Sequence, residues 1–377
     1  MGDTFVTRFK SPGELLRELL RARGWTQEEL ALIIGKSRRT IMEISSDKSG
    51  VTPDMSVSLA AAFGNSPSDW LNLDTAFRLA RVDQDSATIE KRARLFSIAP
   101  IRDMQRRGWI NETTSVEELE QELKSFFSVQ SLEEQPRLSV ATKRTDKTKP
   151  MTPVQRAWCF RARQMASALR VKRFSHDALY EASRELRTLA AYPKEARHLP
   201  FLLGEYGIRF VVIEPLPGTR MDGAAFWLNE DAPVIAVSVR YDRVDSFWFT
   251  VMHEFFHIEH KDALSVDDGM LGENGGREAP PEDEAEQLAD EDAASLLVPR
   301  DELESFIRRV GPLYSRQRII QFAHRIRIHP GIIIGQLQHR KELGYKALRD
   351  MLAKVRSVVV EVALTDGWGS LLTPNTL

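Results

Sequence analysis

The sequence predicts a multidomain, mainly α-helical protein with one small β-sheet. Three observations lead to this fold class. Residues 26–44 have the apolar spacing of two crossing helices, residues 246–258 have the composition of a buried helix, and residues 207–213 and 233–237 are apolar runs of strand length. We therefore expect an all-α N-terminal domain and an α+β domain in the C-terminal half.

Length and composition indicate a soluble protein of two or three domains. The chain has 377 residues, 42% of them hydrophobic, and a formal net charge of -2, which gives no overall signature of nucleic-acid binding. The single cysteine, Cys159, excludes an intrachain disulfide framework. No apolar run is long enough for a signal peptide or a membrane span, so we expect a cytoplasmic protein with no membrane partner.

The N-terminal domain contains a helix, a glycine turn and a second helix. Thr26 and Ser37 are residue types that cap helix N-termini, and Gly35 lies where the chain must turn tightly between the helices. The apolar residues have the spacing of two helices that share a core, and these are Leu30, Ala31, Ile34, Ile41 and Ile44. This pattern is typical of a helix-turn-helix.

A helix-turn-helix predicts contacts with double-stranded operator DNA. If the second helix enters the major groove, its N-terminal residues Arg38, Arg39 and Thr40 reach base edges, and the capping residue Ser37 is a further expected DNA contact. Gln27 would then lie near the DNA backbone, and a homodimer would read two half-sites. The alternative is a helical pair that only contacts proteins, because the N-terminal domain is nearly neutral overall.

The stretch from Ser11 to Leu73 closely resembles the Xre/Cro-type domain of HigA-like antitoxins. This resemblance implies a regulator that binds operator DNA and is encoded beside a toxin gene. A toxin is then an expected protein partner.

We expect four segments along the chain. These are the helix-turn-helix domain at 1–82, a helical connector and flexible linker at 83–150, the α+β domain at 151–300 and a C-terminal helical region at 301–377. The connector has inward-facing residues at helical spacing, namely Leu119, Leu123, Phe126 and Phe127.

An exposed linker is predicted from Ser131 to Pro153. This stretch is rich in serine, threonine and lysine, contains three prolines and has little apolar periodicity. At the other end of the chain, we expect the tail from Thr373 to Leu377 to be disordered.

The residues that indicate chemistry are His253, Glu254 and His257, in the order His-Glu-Phe-Phe-His. Imidazoles at i and i+4 leave the same face of a helix and can bind one ion. Glu254 lies beside them, within reach of a water molecule on that ion. The pattern predicts that His253 and His257 bind Zn²⁺ and that Glu254 is the catalytic base. A buried helix with two hydrogen-bonded histidines is the alternative.

Zinc peptidases need a third protein ligand and keep one open position. Downstream, Glu286 and Asp290 lie four residues apart in a predicted helix whose inward positions are Ala289, Ala293, Leu296 and Leu297. We expect Glu286 to be the third ligand. Asp290 would accept a hydrogen bond from a ligand imidazole and so orient that ring.

Acidic residues around Glu286 leave other ligands open. The run from Glu278 to Asp292 also contains Glu282, Glu284 and Glu291, and such a run is usually a solvated helix face. Alanines at the inward positions favour Glu286, because small side chains let two helices approach closely.

The span from about Gly207 to Pro299 resembles the ImmA/IrrE family of metallopeptidases. Members have a strand pair, then H-E-x-x-H, then a helix of the form E-x-x-A-[ND]-x-x-A-x-x-L-L-x-P, and the chain matches both motifs in order. The resemblance implies a zincin-like α+β fold, a connecting loop at Met221–Ala224 and zinc-dependent endopeptidase chemistry. The chain departs from the family at Asp292, usually a bulky apolar residue, and at Phe255 and Phe256, which are larger than usual.

These patterns together predict an antitoxin-like transcriptional regulator whose zinc endopeptidase domain cleaves a regulatory protein or itself. One alternative is a repressor whose peptidase-like domain is a catalytically silent sensor or partner-binding module. Another is a peptidase whose helix-turn-helix only docks protein. The intact metal and base residues argue against the first alternative, and Arg38 and Arg39 argue against the second.

Overall fold

The computed structural model describes residues 9–81, 86–132, 141–144, 151–261 and 282–367. The chain divides into two compact units, Met1–Ala87 and Thr88–Leu377. Among the helices in these described ranges, none is both long and apolar enough to cross a membrane. The architecture confirms the predicted fold class of a mainly α-helical protein with a small sheet.

The described part of the N-terminal unit is built from helices around one core. These are α1 (Pro12–Arg23), α2 (Gln27–Ile34), α3 (Arg38–Ser45), α4 (Pro53–Phe63) and α5 (Pro67–Leu79). The largest side chain in the core is Trp70, which is fully buried and donates from Nε1 to Asn65 Oδ1 at 3.0 Å. Leu15, Leu16 and Leu59 are fully buried around it. Apolar side chains from all five of these helices are buried in this one core.

The predicted helix-turn-helix is confirmed by α2 and α3. Thr26 caps α2 and forms a capping box with Glu29, and Ser37 caps α3 by accepting from the backbone N–H of Thr40. Gly35 ends α2 in the left-handed conformation at φ 65°. Of the predicted core residues, Leu30, Ala31, Ile41 and Ile44 are buried, and Ile34 is half-buried at the core's margin.

The connector and the start of the second unit are helical. Before the linker lie α6 (Ser86–Ile98), α7 (Ile101–Arg106) and α8 (Val116–Phe127), and after it lie α9 (Pro153–Ser167), α10 (Leu179–Leu189) and α11 (Leu199–Glu205). The four predicted inward residues of α8 are buried, as expected for an amphipathic helix.

The linker prediction needs two corrections. Residues 141–144 form a strand, β1 (Ala141–Arg144), which pairs with a strand 80 residues later in the chain, and no local periodicity announces such a pairing. Pro153 begins α9 behind the capping residue Thr152 and so belongs to a helix. The rest of the predicted linker, 133–140 and 145–150, lies outside the described residues, as does the tail.

The sheet has five strands in the order β1-β3-β4-β2-β5. The other strands are β2 (Arg209–Ile213), β3 (Met221–Trp227), β4 (Pro233–Val237) and β5 (Leu364–Asp366). Strand β2 is parallel to both neighbours, and β3 is antiparallel to both of its own. The expected strands are therefore present, β4 with the predicted bounds 233–237 and β2 beginning two residues later than predicted, at Arg209.

The sheet contradicts two predictions from the sequence. Met221–Ala224 was expected to be a connecting loop, but these residues are the first half of β3, because both edges of that segment are paired with other strands. The region after residue 300 was expected to be helical, yet it also supplies β5. Each of these strands has at least one partner distant in sequence, β1 for β3 and β2 for β5.

Helices cover both faces of the sheet. Val211 packs in one cluster with residues of α8 and α9, whereas its neighbour Val212 packs in another with α12 (Val244–His260), as the alternation of strand side chains requires. Helix α13 (Glu282–Leu297) packs on α12. The remaining helices are α14 (Arg300–Val310), α15 (Arg316–Ile326), α16 (Pro330–His339) and α17 (Arg356–Val360), and the first two confirm the helices predicted there.

The turn between α2 and α3 yields a stability prediction. A Cβ at Gly35 meets no atom within 4 Å, so Gly35→Ala adds only the conformational cost of the left-handed region, about 1 to 2 kcal/mol. Gly35→Asn should cost less than half as much, because asparagine tolerates this conformation. Native-state hydrogen exchange of the Leu30 and Ile41 amides measures the loss of stability in both variants. Equal losses in the two variants would mean that the backbone conformation is not the cause.

Candidate metal centre and DNA-binding helix

His253 and His257 of α12 and Glu286 of α13 meet in the core of the second unit. The two Nε2 atoms are 3.0 Å apart, and the Glu286 oxygens lie 3.4 Å from that of His253 and 3.6 Å from that of His257. All three side chains are buried, with exposures of 0%, 1% and 4%. In the described part of the chain, this is the one group of histidine, cysteine or carboxylate ligands close enough to hold a metal ion.

The donor set and its spacing fit zinc. With tetrahedral geometry and Zn–N distances near 2.05 Å, two ligand atoms on one ion lie about 3.3 Å apart, which is close to all three observed separations. Two imidazoles and one carboxylate also form a common ligand set for catalytic zinc, and such a set leaves a fourth position for water or substrate.

Glu254 lies next to this group on the side that faces the sheet. Its side chain is fully buried, and a Cβ built on Gly223 of β3 would lie 2.7 Å from Glu254 Oε1 and 2.7 Å from Thr250 Cγ2. A glycine at this position of β3 is what allows the carboxylate to lie directly against the strand. The Glu254 carboxylate thus lies directly against the backbone of β3.

Asp290 lies behind His253, as the sequence suggested. His253 Nδ1 is 2.8 Å from Asp290 Oδ1, and a ring N–H donated to this carboxylate leaves Nε2 free to face His257 and Glu286. The two residues come from different helices, so the contact also fixes the register of α13 on α12.

The structure also separates Glu286 from the other acidic residues of α13. Glu284 and Glu291 are exposed and take no part in the group, and the side chain of Glu282 lies outside the described residues. The small side chains of Ala289 and Ala293 are fully buried, as expected for the face of α13 that packs closely against its neighbours.

The two departures from the family pattern meet at one residue, His260. Asp292 Oδ2 lies 3.0 Å from His260 Nε2, and the Phe256 ring stacks on the same imidazole at 5.7 Å between centroids. His260 is not among the predicted site residues, although its spacing of three residues from His257 places it near the same helix face. Phe255, the other large residue, is fully buried in the core.

Charges near the end of α12 affect Glu259. Burial raises the pKa of the Glu259 carboxyl above its ordinary value, and Asp292 adds to the rise while His260 and His176 oppose it. His176 also donates from Nε2 to the backbone carbonyl of Glu259 at 2.8 Å. This hydrogen bond ties the turn before α10 to the end of α12.

In the N-terminal unit, the first turn of α3 is exposed and cationic. Arg38 and Arg39 have side-chain exposures of 69% and 81%, and each is paired with a glutamate. Arg38 lies 2.6 Å from Glu28, and Arg39 lies 2.8 Å from Glu43. Exposed ion pairs of this kind add little stability, so neither arginine is held firmly in its present position.

The other predicted DNA-binding residues have structural roles as well. Ser37 and Thr40 form the cap of α3, with their hydroxyl oxygens 2.8 Å apart. Gln27 at the start of α2 donates to Ser45 Oγ at the end of α3, at 3.1 Å. The structure therefore brings Ser37, Arg38 and Thr40 together on one helical turn, and it places Gln27 against the far end of the same helix.

Comparison with known proteins assigns the two regions to separate families. The helix-turn-helix family model matches residues 16–71, and the model of the IrrE N-terminal-like domain, a peptidase family, matches residues 205–333. The matches leave the connector and the C-terminal end of the chain outside both models.

Similar proteins match the N-terminal region. Virulence-associated protein I of Dichelobacter nodosus is 37% identical over 79 residues, which are 21% of this chain and 73% of that protein. The uncharacterized HTH-type transcriptional regulator YddM of Escherichia coli K12 is 30% identical over 73 residues, or 19% and 78% of the two chains. The solved structure of Pseudomonas aeruginosa antitoxin HigA with the higBA promoter is 32% identical, covers 19% of this chain and 78% of that one, and has a TM-score of 0.19.

This chain covers most of the length of both curated relatives. The residues matched by the IrrE N-terminal-like model include His253, His257 and Glu286. The chain therefore belongs to the helix-turn-helix family of transcriptional regulators and carries, in its C-terminal half, a peptidase domain of the IrrE type.

Proposed function

We propose that this protein is an antitoxin-like, DNA-binding transcriptional regulator whose zinc-dependent endopeptidase domain cleaves a regulatory protein or the chain itself. One observation carries the enzymatic part, namely that the ligand atoms of His253, His257 and Glu286 lie within 4.8 Å of one another. Glu254 lies beside them in the same buried region. Metal ligands alone could be structural, but an adjacent buried carboxylate is what hydrolysis requires.

In the proposed reaction, His253, His257 and Glu286 hold Zn²⁺. When bound, the ion supplies Lewis acidity toward a scissile carbonyl and lowers the pKa of a water molecule. The Glu254 carboxylate accepts a proton from that water and later delivers it to the nitrogen of the leaving amine. The Asp290 carboxylate, whose Oδ1 lies 2.8 Å from His253 Nδ1, would orient the His253 ring by accepting a hydrogen bond from it.

Burial of the site supports this chemistry. Glu254 and both histidines are at most 1% exposed, so the charges of substrate and protein would interact with little screening by water. The surrounding apolar residues of α12, including Phe255, keep the site dry from the side of the core.

For DNA binding, we propose that α3 enters the major groove. Arg38, Arg39 and Thr40 would face base edges, Ser37 would lie at the helix N-terminus near a phosphate, and Gln27 would approach the backbone. The pairs that Arg38 and Arg39 form with glutamates would open on binding, at small cost because both are exposed. We further propose a homodimer, since two such helices would read two half-sites. A toxin or a regulatory protein is the proposed protein partner.

Metal content is the first test of the peptidase proposal. The purified protein should contain about one zinc per chain, and His257→Ala should lose it, because the remaining two ligands hold zinc weakly. His260→Ala removes a histidine from the same helix that lies outside the ligand group, so it should retain zinc. Elemental analysis of the three proteins decides the matter. Absence of zinc from the parent protein after supply of the metal would contradict the proposed site.

Glu254→Gln tests the catalytic base. The variant should keep its zinc and its fold and lose cleavage by roughly a hundredfold or more, because the amide cannot accept the water's proton. Glu259→Gln changes the same residue type five positions along α12, outside the ligand group, and should cleave normally. Mass spectrometry of a proteome-derived peptide library gives the rates. Undiminished cleavage by Glu254→Gln would assign the proton transfer to another group.

Substitutions in α3 test the DNA contacts. Arg38→Ala and Arg39→Ala should each weaken binding to a preferred site roughly ten- to hundredfold, the usual effect of losing a bidentate contact to guanine. Arg21→Ala removes the same charge from α1, where Arg21 is 76% exposed and pairs with Glu18, and should change binding much less. Fluorescence anisotropy on DNA sites selected from a random pool provides the comparison. If all three variants behave alike, another surface reads the DNA.

A further inference from the structure

Strand β1 lies on the outer edge of β3, beside the candidate active site. Ala141, Thr142 and Lys143 pair antiparallel with Ala225, Ala224 and Gly223. In the described sheet, β1 is the terminal strand on this side. The strand is only four residues long and comes from the segment that the sequence marked as a linker.

The register of this pairing brings the β1 backbone close to Glu254. Lys143 is the partner of Gly223, and Gly223 is the residue of β3 that touches the Glu254 carboxylate. Neighbouring strands are about 4.8 Å apart, so the peptide groups around Lys143 lie one strand spacing from that contact. The Cα atoms of β1 also come within 8 Å of those of α12.

The pairing is regular up to Lys143 and irregular beyond it. Arg144 pairs with Met221 instead of Asp222, so β3 has one residue more than β1 at this point. Bulges of this kind turn a strand and end regular pairing, and they are common beside active sites. Regular pairing therefore stops where the β1 backbone passes the residue that contacts Glu254.

An extended peptide that enters this site needs the edge that β1 uses. A sheet edge presents a row of backbone N–H and C=O groups, and a peptide can add to it as a further strand through main-chain hydrogen bonds. Such binding depends little on side chains, and it holds the peptide extended with its carbonyls in a fixed register. The edge of β3 is the edge of the described sheet that lies against Glu254, and β1 occupies its hydrogen-bonding groups.

We propose that β1 is an internal ligand of the candidate active site, so that β1 and an extended peptide substrate exclude each other from the edge of β3. The occupant is the chain's own segment Ala141–Arg144, and its competitor is an unfolded or extended stretch of protein. This inference rests on the proposed function in one respect, namely that the site accepts a peptide. It adds that the site is closed by the chain until that peptide displaces β1.

The size of the effect follows from occupancy. A tethered segment competes at an effective concentration that can reach the millimolar range. If β1 occupies the edge nine-tenths of the time, the apparent affinity for a free peptide is lower by roughly tenfold than that of the open edge.

The test uses metal-free full-length Glu254→Gln protein, so cleavage plays no part. A fluorescent synthetic peptide with the sequence of residues 138–147 is titrated against this parent and against a variant that also carries Thr142→Pro and Lys143→Pro. Adjacent strand residues point their N–H groups to opposite sides, so the two prolines remove at least one hydrogen bond to β3. Lys147→Pro with Thr148→Pro is the matched control, because it changes the same residue types outside the β1 pairing.

The proline variant should bind the peptide at least roughly tenfold more tightly than the parent, and the control should match the parent. The same peptide with prolines at its two β1 positions should not bind. Equal binding by all three proteins, or no binding by any of them, would overturn the proposal and leave β1 a structural edge strand.

Hydrogen exchange gives a second measurement in case the proline variant folds poorly. In the parent protein, saturating peptide should speed the exchange of whichever of the Thr142 and Lys143 amides is bonded to β3 and leave the Gly223 and Ala225 amides of β3 protected. Unchanged exchange in β1 while the peptide is bound would contradict displacement. Because neither measurement depends on zinc or hydrolysis, a failure here is distinct from a failure of the metal-content and cleavage experiments.

Discussion

The second unit depends on the burial of ionisable side chains between α12, α13 and β3. His253, Glu254, His257 and Glu286 are each at most 4% exposed. Charged groups in a protein interior are costly unless they are paired or bind a metal, and here the Glu286 carboxylate faces two imidazoles while Glu254 lies against Gly223 of β3. A bound zinc ion would lower the cost of burying these groups, because it takes the imidazoles as neutral ligands and offsets the charge of the ligand carboxylate. These four residues come from two helices, α12 and α13, and β3 packs against Glu254 through Gly223.

Small residues make that arrangement possible. Gly223 lets β3 lie against Glu254, and buried Ala289 on α13 adds no bulk where the helices pack. On another side of α12, a Cβ at Gly335 of α16 would lie 2.4 Å from Asp245 Oδ2. Side chains of α12 thus touch glycines of two neighbouring elements directly. A methyl group at either glycine would have to displace a carboxylate that the structure holds in the interior.

The N-terminal unit is stabilised by more local interactions. Thr26 and Ser37 cap their helices within three residues, and Gly35 provides the turn between them. This leaves the first turn of α3 exposed, with its arginines in weak surface pairs that a phosphate or a base can replace. Along the chain, β1 lies between this unit and α12, and its pairing with β3 places the end of the connector beside the strand that contacts Glu254.

The sequence by itself determined the features that depend on neighbours within about four residues. The caps at Thr26 and Ser37, the turn at Gly35 and the placement of His253 and His257 on one helix face all follow from local backbone geometry. Glu286 could be preferred over the nearby glutamates because alanines share its helix face, and the structure brings that residue to the two histidines.

Strand pairing was decided by the tertiary structure. Met221–Ala224, β1 and β5 contain glycine, polar residues or too few apolar positions to show a strand pattern. Strands β1 and β5 pair with strands distant in sequence, and Met221–Ala224 belongs to β3, which pairs with distant β1 and with the following strand β4. The contact of Gly223 with Glu254, and the place of Lys143 beside it, are likewise absent from any local pattern. Hydrogen bonds between strands join residues far apart in the chain, and their register exists only once the sheet has formed.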